Sequence, residues 1–81
     1  MKTVVLTPQA AKQLDALPLP VQNDVVGALD GYAISGVGDV RKLQSRPGFR
    51  LRVGRYRVIF AEDQTTVLAI YIGKRETTTY R

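Results

Sequence analysis

The segment Val53-Gly54-Arg55-Tyr56 constrains this chain more than any other. Alternating runs rich in β-branched and aromatic residues flank it, Phe49–Val53 before and Tyr56–Glu62 after. Glycine at the first loop position supplies the positive φ of a type II′ turn, so the segment reads as a two-residue β-hairpin. The register follows directly. Val53 faces Tyr56, Arg52 faces Arg57, Leu51 faces Val58, Arg50 faces Ile59 and Phe49 faces Phe60. Opposed residues share a face, so Phe49, Leu51, Val53, Tyr56, Val58 and Phe60 are expected to line the core. Arg50, Arg52 and Arg57 fall together on the other face.

The first half of the chain has a different period. Thr3-Val4-Val5-Leu6 is a short strand-like run, ended by Thr7 as a helix N-cap and Pro8 as the first helical residue. Ala10, Ala11, Leu14 and Leu17 then repeat at threes and fours, predicting a helix over residues 8–17 that Pro18 and Pro20 close. A second helix is expected from near Pro20, with Val21, Val25, Val26, Leu29 and Tyr32 inward, ending in the glycine-rich residues 31–38. Strands are expected at residues 40–44, 49–53 and 56–62, with a turn at Glu62-Asp63-Gln64-Thr65. Residues 66–72 are apolar on both alternating faces apart from Thr66 and Tyr71, which predicts an interior strand. Gly73-Lys74-Arg75-Glu76 ends it, and residues 77–81 form a polar tail that either frays or makes one helical turn. The predicted fold class is α+β: an N-terminal strand, an αα-hairpin, then a four-stranded antiparallel sheet packed on the helices, in a single domain over residues 1–81.

Composition narrows the chemistry. At 81 residues there is room for one small domain, which excludes a multidomain enzyme. The chain has no Cys and no His, so disulfides, thiolate or Cys₂His₂ zinc sites, HExxH motifs and Ser-His-Asp triads are all excluded. No metal and no cofactor is expected. No apolar run approaches the roughly twenty residues of a spanning helix. Residues 1–6 are too short for a signal-peptide core, so the expectation is a cytoplasmic protein without a membrane partner. The formal net charge is +5 and eight of the twelve cations are arginines, which points to a polyanionic partner.

Residues 40–61 carry Arg41, Lys42, Arg46, Arg50, Arg52, Arg55 and Arg57 and no acidic residue. Strands ordinarily show polar groups to water, and one or two arginines would need no other explanation. Here the hairpin opposes Arg52 to Arg57, and like charges so placed cost a few tenths to about 1 kcal/mol. Stability alone would not select this. A row of forked guanidiniums matches phosphate oxygens, and a bound nucleic acid would relieve the repulsion. Arg41, Lys42, Arg46, Arg55 and Lys74 are candidates for RNA or phosphate binding around Arg50, Arg52 and Arg57. Arg75 follows the interior strand, where it either joins this face or caps the strand in water. Tyr80 either packs on the sheet or serves a base or ribose hydroxyl, while Tyr56 and Tyr71 read as core-edge residues with surface hydroxyls. Gly36-Val37-Gly38 lacks the strand-to-helix setting of a dinucleotide site, and Glu62 and Glu76 read as surface or salt-bridging groups. What remains is metal-free phosphodiester cleavage in which a ribose 2′-hydroxyl attacks and cations stabilise the developing charge. That chemistry requires RNA.

Lys42-Leu43, the stretch from Gly48 through "RLRVGRYRVIF" to Phe60, and Ile72-Gly73-Lys74-Arg75-Glu76 together resemble the RelE/ParE superfamily of bacterial toxins, in detail the RelE branch. The resemblance covers essentially the whole chain and implies a microbial-RNase-like fold. It also implies a toxin of a toxin–antitoxin system: an endoribonuclease that cleaves mRNA on the ribosome, inhibits translation and is neutralised by a cognate antitoxin in a hetero-oligomer. By the same resemblance, Arg50, Arg52 and Arg57 would hold the scissile phosphate, Arg75 would serve the leaving oxygen, and Tyr80 would orient or activate the 2′-hydroxyl. The interval from Arg75 to Tyr80 is one residue shorter than in the RelE subgroup with that tyrosine. Arginine is never deprotonated in such a setting, so the guanidiniums supply no general base and the ribosome must do much of the positioning. Two other readings of the same residues stand beside this one: a ParE-like poison of DNA gyrase that cleaves no RNA, and an inactive RNA- or protein-binding module.

Overall fold

A computed structural model describes residues 1–74 in the order β1 (Thr3–Leu6), α1 (Pro8–Asp15), α2 (Leu19–Ser35), β2 (Val40–Lys42), β3 (Phe49–Val53), β4 (Tyr56–Glu62) and β5 (Thr66–Lys74). The tail expected at residues 77–81 lies outside the described residues.

Thr7 caps α1 as its sequence position predicts. Its Oγ1 accepts from the Ala10 amide at 3.1 Å, and Pro8 occupies the first turn, where a missing N–H costs nothing. The helix stops at Asp15, two residues short of the expected end, yet Leu17 still packs against the core. The connection to α2 is tied by Gln22, whose Nε2 donates to the carbonyls of Leu17 at 2.8 Å and Asp15 at 3.3 Å. Gly36 ends α2 in the left-handed conformation, φ 76°, with its amide bonded to the Tyr32 carbonyl at 2.7 Å. Val25, Leu29 and Ala33 are buried at four-residue steps, with Val21 and Tyr32 packed beside them. Val26, expected inward, is 42% exposed. It lies about 100° around the helix from Val25, and Ala33 takes up the stripe instead.

The five strands form one sheet in the order β1-β5-β4-β3-β2. The hairpin register is the predicted one at all five pairs, from Val53 opposite Tyr56 to Phe49 opposite Phe60. Gly54 has φ 57°, and among the described residues only glycines have positive φ, so Arg55 fits a type II′ turn and not type I′. The strands differ from expectation in pairing and in extent, β5 running on to Lys74 instead of ending at residue 72. β1 does not stand apart but pairs in parallel with β5, Thr3 opposite Thr66 through Leu6 opposite Ala69, which makes the sheet five-stranded and mixed. β2 ends at Lys42 rather than at residue 44, and the Leu43 amide, donating to the Gly48 carbonyl at 3.0 Å, carries its register one pair further.

Both helices cover one face of the sheet. Ala10, Leu14, Val25, Leu29 and Ala33 meet Leu51, Val58, Phe60, Val67, Ala69 and Ile72. Phe60 is fully buried at the centre, edge-on to Tyr32 with ring centroids 5.4 Å apart and stacked on Phe49 at 5.5 Å. Tyr56, expected in the core, is only half-buried and stands outside the core cluster, although Val53 opposite it packs against that cluster. Between β4 and β5 the pairing slips by one residue: Ile59 opposes Tyr71 while Phe60 opposes Ala69, which leaves Ile70 as the extra residue of a β-bulge. Thr7 fixes this irregularity, its amide donating to the Ala69 carbonyl at 3.0 Å and its hydroxyl to the Ile70 carbonyl at 3.2 Å. Past the end of β1, Gln13 reaches from α1 to accept the Ile72 amide at 2.8 Å, a side chain standing in for a missing strand.

Glu62 is an ion-pairing residue, as its sequence setting suggested. Its carboxylate accepts from Lys2 Nζ at 3.1 Å and from the Tyr32 hydroxyl at 2.9 and 3.1 Å, joining the first residues to α2 and β4. Burial, then the hydrogen bond to Glu62 and its negative charge, hold the Tyr32 phenol above its usual value of 10.0. The folded state therefore retains this proton longer than the unfolded chain. The stabilisation is complete below pH 10 and is lost as pH rises through the raised folded value. Urea midpoints measured from pH 8 to pH 11.5 should fall more steeply for the protein than for Tyr32→Phe, and parallel curves would contradict this account.

Candidate nucleic-acid interface

The face of the sheet opposite the helices follows from the strand register. Across it run Arg41, Arg50, Ile59 and Tyr71 in one row, and Arg52, Arg57 and Gly73 in the next. The hairpin and the short edge strand β2 thus bring four arginines, Arg41, Arg50, Arg52 and Arg57, onto one surface. Arg41 opposes Arg50 just as Arg52 opposes Arg57, a second like-charge pair. A two-residue loop makes Val53 and Tyr56 the hydrogen-bonded pair, so Arg52 and Arg57 form a non-hydrogen-bonded pair, the closer kind, with Cα atoms about 4.5 Å apart. The Arg52 amide accordingly turns away from β4 and donates to the Asp39 carbonyl at 3.0 Å.

Arg52 and Arg57 differ in environment. Arg52 is well exposed and its Nε lies 3.9 Å from the Asp39 carboxylate, a loose surface contact that contributes little to stability. Arg57 is half-buried, and among the described residues its buried Nε has no hydrogen-bond partner. A buried, unpaired guanidinium nitrogen is costly to the fold.

The other cationic candidates divide by position. Arg46 and Arg55 are exposed in the loop before β3 and at the hairpin tip. Lys42 opposes Phe49 and Lys74 opposes Tyr56, so both take the register of the helix-covered face at its margins and stand outside the arginine rows. Arg75 and Tyr80 lie outside the described residues.

Towards β1 the same face becomes apolar. Val5, Leu68 and Ala61 line up across β1, β5 and β4, and with Glu62, Asp63 and Thr66 they border an open groove of about 260 Å³. Asp63 holds the adjoining turn. Its carboxylate accepts the amides of Thr65 and Thr66, each at 2.9 Å, and these bonds keep its pKa below the usual 3.8. Ile59, whose neighbours are Arg50 and Tyr71, is 8% exposed although it faces away from the helices. The surface is thus cationic on β2, β3 and β4 and apolar on β5 and β1, which suits a ligand with phosphates along one side and bases along the other.

Three features escape a reading of the sequence. Asp39 falls one residue before the acid-free stretch and only the folded loop brings it to Arg52. The burial of Ile59 depends on its neighbours across strands. Tyr71, read as a core-edge residue, stands instead on the open face, because the bulge at Ile70 reverses the alternation. Residues 67–70 and 72 are all apolar, so the phase slip leaves no mark in the sequence pattern.

No protein-family model matches the chain, and no curated protein matches it in sequence. Solved structures do. A chain of the RelE–RelB complex from Pyrococcus horikoshii OT3 superposes with a TM-score of 0.80 at 23% identity, over 95% of this chain and 98% of that one. A chain of the toxin–antitoxin complex RelBE2 from Mycobacterium tuberculosis gives 0.79 at 28% identity, over 91% and 98%. The isolated RelE toxin of E. coli gives 0.69 at 20% identity, over 96% and 88%. The chain thus has the fold of the RelE-like toxins it superposes on.

Proposed function

We propose that this protein is the toxin of a toxin–antitoxin pair and acts as a ribosome-dependent mRNA endoribonuclease. The observation that carries the reading is the pair Arg52 and Arg57, like charges opposed on the open face, with Arg57 Nε buried and unpartnered. In the reaction the ribose 2′-oxygen bonds to phosphorus and the bond to the 5′-oxygen breaks, leaving a 2′,3′-cyclic phosphate and a 5′-hydroxyl. Arg50, Arg52 and Arg57 bind the phosphate and offset the charge that grows on its oxygens. Arg75 and Tyr80, through the resemblance, serve the leaving oxygen and the attacking hydroxyl. Arg41, Arg46, Arg55, Lys42 and Lys74 lie around this centre as contacts to flanking RNA. Guanidiniums cannot take the 2′-proton, so the rate depends on an in-line RNA geometry imposed by the ribosome. Such a protein works in the cytoplasm.

The partner that restrains it is an antitoxin. An acidic, partly disordered chain folding onto the arginine face is steered there by charge and blocks the phosphate site. The similar proteins are solved as the complexes RelE–RelB and RelBE2, which supports an antitoxin partner.

The test is to add the protein to a reconstituted bacterial translation reaction and map new mRNA 5′ ends. New ends within codons at the decoding site, absent without ribosomes, are expected. Equal cutting of naked RNA would remove the ribosome from the mechanism, and intact message would move the assignment to gyrase poisoning or to a binding-only module.

A further inference from the structure

Tyr71 is set on the arginine face by a specific irregularity of the fold. Val67 and Ala69 point to the core, and unbroken alternation would send Tyr71 after them. The extra residue Ile70 reverses the phase, so Ile72 enters the core and Tyr71 emerges among the arginines. The bulge is anchored by Thr7, which binds the carbonyls of both Ala69 and Ile70. Bulges commonly re-aim one side chain in this way.

The next residue on the same face is Gly73, directly opposite Arg57. The Tyr71 ring leans over it. A Cβ added at Gly73 would overlap the phenol oxygen and lie 2.7 Å from Cζ and 2.9 Å from Cε2. The hydroxyl therefore occupies the place where a side chain of residue 73 would begin. Read across the sheet, one row presents the Arg52 guanidinium, the Arg57 guanidinium and the Tyr71 hydroxyl. Among the described residues this hydroxyl has no hydrogen-bond partner, and neither does the buried Arg57 Nε.

We infer that the Tyr71 hydroxyl is a third, uncharged donor to the phosphodiester held by Arg52 and Arg57, an assignment that rests on the reading of this face as an RNA phosphate site. A neutral donor has a physical advantage here. It adds a directed hydrogen bond without adding to the repulsion between two cations already opposed. Gly73 is required because any larger residue would displace the phenol.

The experiment uses the isolated protein and a short single-stranded RNA blocked at every ribose by 2′-O-methyl groups, with binding followed by fluorescence anisotropy across a salt series. Tyr71→Phe is expected to weaken binding roughly tenfold, the worth of one hydrogen bond to a charged group. It should leave the slope of log Kd against log salt unchanged. Arg57→Ala is expected to weaken binding and also reduce that slope by about 0.7, the value for one phosphate contact on a single strand. Gly73→Ala should reproduce the loss seen with Tyr71→Phe, and its new methyl meets only the far end of a movable side chain, so it serves if Tyr71→Phe fails to fold. Binding within twofold of wild type for Tyr71→Phe and Gly73→Ala, with Arg57→Ala impaired, overturns the role of Tyr71 and keeps the phosphate site. A wild-type protein that does not bind, or binding insensitive to all three changes, overturns both.

Discussion

Arg57→Ala should lower the ribosome-dependent cleavage rate about 100- to 1,000-fold, the usual loss when one preorganised donor to a developing oxyanion is removed. Its stability should stay within about 1 kcal/mol of wild type. The change removes one of two opposed cations, worth a few tenths to about 1 kcal/mol, and with it a buried nitrogen that has no partner. Against that stands the loss of packing by the arginine stem. Lys12→Ala, the same loss of charge on an exposed position of α1, should leave both quantities unchanged. Single-turnover cleavage of ribosome-bound message, paired with urea denaturation, checks the two halves together. A variant that loses activity and several kcal/mol of stability in parallel would make Arg57 a structural residue and remove it from the site.

The second large effect concerns the core. Phe60→Ala should destabilise the protein by about 3–5 kcal/mol, because it empties a fully buried site and removes the ring contacts to both Tyr32 and Phe49. Small domains typically have only about 5–15 kcal/mol in total, so this one change would remove a large share of it. Phe60→Leu, which keeps more of the volume, should lose less. Guanidinium midpoints at constant m-value measure both, and a loss below about 1 kcal/mol for alanine would mean that the helices do not depend on this ring for their seat on the sheet.

The parts of the fold that the sequence announces are those determined by near neighbours. Gly54 requires a particular turn, the turn sets the register, and the register puts Arg50, Arg52 and Arg57 on one face. Thr7 and Pro8 start α1 for equally local reasons. What stays hidden depends on distant pairings. Nothing within Thr3–Leu6 specifies a parallel partner at Thr66 to Ala69, since both runs are simply apolar and β-branched. The bulge at Ile70 is similarly silent, because an uninterrupted apolar run has no phase to lose. Val26 and Ala33 on α2 show the same limit: hydrophobicity names the candidates for a buried stripe, while the sheet beneath decides which of them it covers.

The parallel pairing of β1 with β5 also orders events during synthesis. The β3 and β4 hairpin is made of neighbours and can close as soon as its own residues are free. The first strand must wait until residues 66–69 are made, because its partner begins at Thr66. Tyr71 and Gly73 belong to that same strand, so the row they complete with Arg52 and Arg57 cannot exist before residues 71–73 are made. Closing the sheet and completing that row are therefore one step, and the proposed phosphate site is absent until β5 is in place.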